Sequence, residues 1–154
     1  MIILGLDPGT AKVGWGIISG DKKRRSFIAC GVIKTSKKTL SHNRLKEIYC
    51  QTKKLIAQHK PELIVIEKLF FFKNLKTALP VAEARGVLLL LVAEKKIKLK
   101  EFTPLQVKTG VCGYGRAEKT QIQRMVQILL KLKEVPMPDD AADALALAIC
   151  ASFS

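Results

Sequence analysis

The sequence predicts an α/β fold in which a mixed β-sheet, three antiparallel strands followed by parallel ones, is flanked by helices. Three observations carry this. Short apolar runs at 2–7, 12–19 and 26–34 follow one another at hairpin spacing. From about residue 40 the apolar period becomes helical. Two later strand-like runs, 63–66 and 98–103, are each reached only after a helix, which implies right-handed crossovers to parallel strands. The order βββ-α-β-α-β-α-α-α fits one domain over residues 1–154, with no linker and no repeat. A chain of this length can bury about 68–70% of its unfolded surface.

Each element has a local cause. Residues 2–7 (IILGLD) are a buried-type strand stopped by Pro8-Gly9-Thr10, a turn signal. The next two strands flank Gly20-Asp21-Lys22-Lys23, a hairpin turn. Leu45, Ile48, Tyr49, Leu55 and Ile56 recur at helical spacing over 40–59, and Pro61-Glu62 ends that helix. The fully apolar LIVI at 63–66 suits a central strand ending at Glu67. A second helix spans 75–95 and a fifth strand 98–103. Pro104 sits at a helix start, 110–115 form a glycine-rich loop, and helices follow at 117–131 and from Asp139 to about 151.

Against 27 Lys and Arg stand 13 Asp and Glu, a formal charge of +14. Such a field favours a polyanion, nucleic acid before an anionic membrane. The longest uncharged apolar stretch, 86–93, is far short of the roughly 20 residues of a spanning helix. The N-terminus has no basic region and places Asp7 where a signal peptide would be apolar. A cytoplasmic protein with no membrane association is expected. Cys30, Cys50, Cys112 and Cys150 contain no C-x-x-C pair, so they are read as buried free thiols rather than a zinc or redox site.

The five Asp residues are unevenly placed. Asp7 ends the first strand, Asp139 and Asp140 open the last helix, Asp143 follows, and Asp21 belongs to the hairpin. Helix capping alone explains Asp139 and Asp140, because carboxylates are favoured at a helix N-terminus. Asp140 and Asp143, at i and i+3, nevertheless leave one face of a helix whose ALALAIC continuation must pack on the sheet. Glu67, like Asp7, is delivered to the carboxyl edge of the sheet, where α/β folds bind ligands. A solvent-exposed strand end paired with Lys68 or Lys73 is the simpler account of Glu67. If the first and fourth strands are neighbours, Asp7, Glu67, Asp140 and Asp143 converge. Four carboxylates together require a cation, and oxygen-only ligation suits Mg²⁺ or Mn²⁺ rather than zinc. A pair of such ions can clamp the attacking and leaving oxygens of a phosphodiester.

GLDPGT at 5–10, VIEKLFFFKN at 65–74, AEARG at 82–86, QVK at 106–108, GRAEKTQIQRMV at 115–126 and DDAADALALA at 139–148 occur in one order. That pattern resembles the RuvC family of bacterial Holliday-junction resolvases over nearly the whole chain. The resemblance implies an RNase H-like fold with a five-stranded mixed sheet. It implies a homodimeric crossover junction endodeoxyribonuclease that acts in recombination and repair and works with a branch-migration helicase complex. Such an enzyme nicks two strands of a four-way DNA junction symmetrically. Asp7, Glu67, Asp140 and Asp143 are then the catalytic metal ligands, holding two Mg²⁺ ions per subunit with Mn²⁺ as a substitute. Asp139 precedes the matched motif and is read as the N-cap. Phe70, Lys73, Lys108 and Lys119 are the expected DNA contacts.

Phe70, Phe71 and Phe72 cannot all face one side of a strand, so at least one is free to act as an apolar wedge between bases. Phe70 matches the family's aromatic position, although the two that follow leave the wedge's identity open. Gly113 to Thr120 lacks the contiguous Gly-Lys-Ser/Thr of a nucleotide loop, but suits a DNA phosphate at a helix N-terminus. Arg85, in mid-helix, could pair with Glu83 or Glu62. His42 and His59 have no assigned role. The apolar face of the 75–95 helix is a candidate dimer contact. Two other classes compete: a non-catalytic nucleic-acid-binding module, and an actin-like or sugar-kinase-like nucleotide domain, which also opens with a D-x-G-T loop. The first would not collect carboxylates on its DNA face, and the second needs two such domains.

Overall fold

The computed structural model describes residues 1–9, 11–69 and 75–154. Its elements are β1 (Ile2–Asp7), β2 (Lys12–Gly20), β3 (Arg25–Lys34), α1 (Ser41–His59), β4 (Leu63–Glu67), α2 (Leu75–Lys95), β5 (Lys98–Phe102), α3 (Pro104–Cys112), α4 (Lys119–Leu129) and α5 (Asp139–Ser152). The sheet order is β3-β2-β1-β4-β5. β1, β2 and β3 form an antiparallel meander, and β4 and β5 join parallel to β1.

Side chains alternate across a strand, and the core divides accordingly. Leu4, Leu6, Ile64 and Ile66 face one way, onto Ile48 and Ile56 of α1 and Leu88 and Leu91 of α2. Ile3, Leu63 and Val65 face the other way, onto α3, α4 and α5. Asp7 shares parity with Ile3, and Glu67 with Leu63 and Val65. Both strands therefore end with a carboxylate on the α5 side, at the same edge of the sheet.

α5 is buried almost all round from Ala141 to Ser152, which its small and apolar composition permits. It lies against a stripe of glycines. A Cβ on Gly5 would stand 2.0 Å from the Ala144 carbonyl oxygen, and one on Gly14 would stand 2.0 Å from the Asp140 carbonyl oxygen. Gly16, the direct partner of Gly5, closes the stripe against Leu145. With no side chain between them, helix and sheet meet backbone to backbone, which brings the first turn of α5 beside Asp7.

Several local expectations shift. Pro138, not Asp139, is the N-cap residue of α5, and Asp139 is its first helical residue. Gly110 lies inside α3 rather than in a loop, because its missing Cβ is needed against Cys150 Sγ, 2.6 Å from where it would sit. The loop begins at Gly113, whose φ of 70° ends α3. Thr103 and Gln106 form a reciprocal capping box that starts α3 at Pro104. All four cysteines are free, but Cys50 is exposed on α1 and only Cys150 is fully buried. Thr10, Phe70, Phe71, Phe72 and Lys73 lie outside the described residues.

Gly5→Ala should destabilise the fold by roughly 1–3 kcal/mol or more, since the methyl must displace main-chain atoms of α5. Gly86→Ala, within α2 and with nothing within 4 Å of its Cβ, should stabilise it by about 0.5–1 kcal/mol. Urea unfolding of both variants checks this; equal effects would mean that the α5 contact is not tight.

Candidate active site

Asp7, Glu67 and Asp143 line one cavity of about 210 Å³ together with Lys108, Lys119, Pro104 and Val107. Each comes from a different element for a local reason. Asp7 and Glu67 are the last residues of adjacent parallel strands, where Leu6 pairs with Ile66. Asp143 lies in the first turns of α5, held there by the glycine stripe. Lys108 comes from α3 and Lys119 from the first residue of α4. Asp140 is close enough for its charge to act on Asp7 and Asp143, although it is not part of the cavity lining. The structure thus brings together five of the six described residues expected at the site and sets Asp140 at its margin.

The electrostatics show a shortage of positive charge. Burial pushes the Asp7 carboxyl up to about 8, with further upward pressure from Glu67, Asp143 and Asp140 and only Lys119 opposing. Glu67 is raised by burial and then by Asp143. Asp143 is raised by burial despite Lys119. The Lys119 ammonium sits 3.1 Å from Asp143 Oδ2 and 3.5 Å from Asp139 Oδ2. Burial disfavours its charge, but Asp143 and Asp139 outweigh that and raise its pKa. Gln123, one turn further along α4, donates to Asp139 Oδ1 at 3.1 Å. Asp139 therefore ties α5 to α4 rather than capping its own helix.

Among the described residues no three His, Cys, Asp or Glu side chains are already arranged around a single cation. The donor set nevertheless fits a hard divalent ion. It consists of carboxylates alone, and burial together with mutual repulsion raises three of them, which a cation would reverse.

Arg85 was not foreseen in its actual role. From α2 it pairs with Glu101 of β5, and its Nε donates to the main-chain carbonyl of Glu67 at 3.3 Å. Glu62, one of its expected partners, instead accepts from the Ile2 amide at 3.1 Å. The next peptide is fixed as well, with the Lys68 N–H donating to the Phe102 carbonyl at 2.8 Å. The end of β4 is thereby held from the sheet face opposite the carboxylates. The signal available in sequence was a single arginine among apolar helix residues, which names no partner.

A carboxyl with a raised folded-state pKa costs stability progressively as pH climbs from its unfolded value, near 4, through its folded value. For Asp7 that window runs to about 8. Metal-free protein should therefore melt at falling temperature between pH 5 and pH 8, with a smaller decline in Asp7→Asn. The gap between the two melting curves should widen with pH; a constant gap would remove the burial argument for Asp7.

Comparison with known proteins agrees with this arrangement. The family model described as "Crossover junction endodeoxyribonuclease RuvC" matches residues 3–151. A RuvC crossover junction endodeoxyribonuclease of Fusobacterium nucleatum is 52% identical over 149 residues, covering 97% of this chain and 78% of that one. Its namesake from Alkaliphilus metalliredigens is 50% identical over 154 residues, covering 100% and 94%. Among solved structures, Thermus thermophilus RuvC superposes with a TM-score of 0.92 at 31% identity, covering 99% of this chain and 94% of that one. The same protein in complex with a Holliday junction substrate gives 0.90 at 28%, with the same coverage. The yeast mitochondrial Holliday junction resolvase Ydc2, at 17% identity and a TM-score of 0.69 over 96% and 76%, shares the RNase H-like fold. With its sheet, its acidic strand ends and its whole length matched, this chain belongs to the RuvC crossover junction endodeoxyribonuclease family.

Proposed function

We propose that this chain is a structure-selective endonuclease that resolves four-way DNA junctions by paired symmetric nicks in recombination and repair. The observation that carries the reading is the convergence of Asp7, Glu67 and Asp143 on one cavity in a protein of net charge +14. The basic exterior draws in the phosphate backbone, and the acidic pocket is where one phosphodiester is cut. A non-catalytic binding module would gain nothing from buried carboxylates against its ligand. Family membership adds weight, since the relatives named above are crossover junction endodeoxyribonucleases.

Asp7, Glu67, Asp140 and Asp143 would hold divalent ions, Mg²⁺ with Mn²⁺ as a substitute, and four carboxylates suit two ions per subunit. When bound, such ions activate a water and stabilise charge on the phosphodiester oxygens. The chain's own residues do the rest. Glu67 is oriented from behind by Arg85, and Asp7 is kept largely dry by the sheet and α5. Lys119 neutralises Asp143 and sits where it can turn to a phosphate, as does Lys108 across the cavity. Phe70 and Lys73 extend the DNA contact beyond β4 in this reading. Symmetric nicks require two such sites facing one junction, hence a homodimer. The exposed Leu79 and Leu90 of α2 are its suggested contact. A branch-migration helicase complex is the suggested partner, in one domain over 1–154. No helix among the described residues is long and apolar enough to cross a membrane, consistent with a cytoplasmic site of action.

Incubation of the protein with a synthetic four-way junction and a matched linear duplex, with and without Mg²⁺, tests the reading. The expected result is junction-selective nicking that needs the metal, lost by at least about 10³-fold in Asp7→Asn while metal-free junction binding persists. Equal cutting of the duplex, or undiminished cutting by Asp7→Asn, would overturn it.

A further inference from the structure

The sheet edge that carries Asp7 and Glu67 continues past them. β2 begins there at Lys12 and β3 ends there at Lys34, and the two are direct cross-strand partners. Strand parity places both on the α5 side. Val13 and Ile33, their neighbours along each strand, are buried toward α1 and α2, whereas Gly14 abuts Asp140. Both lysines are exposed, and neither makes an ion pair among the described residues. Like charges directly opposite each other on an antiparallel pair are destabilising. The fold gains nothing from this pair.

The frame around the two lysines is firm. The Thr35 N–H donates to the Ala11 carbonyl at 3.0 Å, joining the segment after β3 to the one before β2. Arg44 Nε donates to Thr35 Oγ1 at 3.0 Å, and the Lys38 N–H donates to Ser36 Oγ at 3.2 Å. Lys37 and Lys38, also exposed, extend the same positive surface. Lys108 and Lys119 lie on the other side of the carboxylates, on α3 and α4. The acidic cavity is thus flanked on both sides by cations.

We propose that Lys12 and Lys34 form a phosphate clamp for the DNA strand cut at the neighbouring carboxylates, distinct from the Lys108–Lys119 side. The inference rests on the nuclease reading and adds which backbone phosphates are held, and by what. Adjacent strands are about 4.8 Å apart, so β2 and β3 stand about 5 and 10 Å from the strand of Asp7. A DNA strand advances about 3.4 Å of axis per nucleotide. A duplex arm laid along this edge therefore brings the phosphates two to four nucleotides from the cut onto the pair.

Metal-free binding of a labelled four-way junction, followed from 50 to 200 mM salt, tests the clamp in Lys12→Ala/Lys34→Ala. Two lost phosphate contacts should make the slope of log K against log salt shallower by about 2. Affinity should fall roughly tenfold at 100 mM salt, while the melting temperature stays level or rises as the like-charge pair is removed. Lys22→Ala/Lys23→Ala, at the opposite end of β2 and β3, removes the same charge and should leave the slope unchanged. A neutral methylphosphonate two to four nucleotides from the nick should weaken wild-type binding and leave the Lys12/Lys34 variant unaffected. An unchanged slope, or an equal loss in the Lys22/Lys23 variant, would overturn the clamp. Wild-type protein that never nicks the junction would instead overturn the nuclease reading, so the two failures are distinguishable.

Discussion

The contact on which the rest of this molecule depends is the backbone-to-backbone seating of α5 on Gly5, Gly14 and Gly16. A helix normally stands off a sheet by the depth of the side chains between them. Here three glycines remove that layer, and α5 carries Asp140 and Asp143 to within interaction range of two strand ends that already bear carboxylates. The alternation of the strands does the complementary work. Because Leu4, Leu6, Ile64 and Ile66 belong to the α1–α2 layer, Asp7 and Glu67 must face α5. The site is a consequence of packing on both faces of the sheet.

The same contact creates an electrostatic difficulty. Burial and mutual repulsion raise Asp7 to about 8, and Glu67 and Asp143 above their ordinary values. The nearest positive charge, Lys119, is shared between Asp143 and Asp139 and cannot serve all of them. Hydrophobic burial elsewhere sustains this strain, chiefly the almost wholly apolar α5 and its cover of α3 and α4. A site held together against its own repulsion is primed to take up positive charge. The surrounding +14 field supplies part of it as lysines at the rim of the cavity, and that field also attracts nucleic acid.

Much of this was legible from residue order because it follows from short-range rules. The strand ends at Asp7 and Glu67, the hairpin at 20–23, the capped start of α3 and the i, i+3 relation of Asp140 and Asp143 all stand where pattern and turn chemistry put them. What was not legible depends on close approach in three dimensions. Gly5 and Gly14 read as ordinary strand glycines until α5 lies against them, and Gly110 reads as loop until Cys150 appears beside it. Asp139 satisfies every rule for an N-cap, yet the approach of α4 offers it Lys119 and Gln123, and Pro138 takes the cap position. Arg85 reaches Glu101 and the Glu67 carbonyl only because α2 crosses the β4–β5 edge. Cys50 is exposed because α1 turns that face outward, which a count of cysteines does not show.

The central claim is that buried carboxylates are held together short of positive charge, so that a divalent cation should stabilise the fold. Thermal unfolding at pH 8 with and without millimolar Mg²⁺, for the wild type and for Asp7→Asn, measures this directly. Ligand that binds the native state alone raises the melting temperature as RT ln(1 + [L]/Kd). The account predicts a clear rise for the wild type and little or none for Asp7→Asn. No rise in the wild type, or the same rise in both, would contradict it.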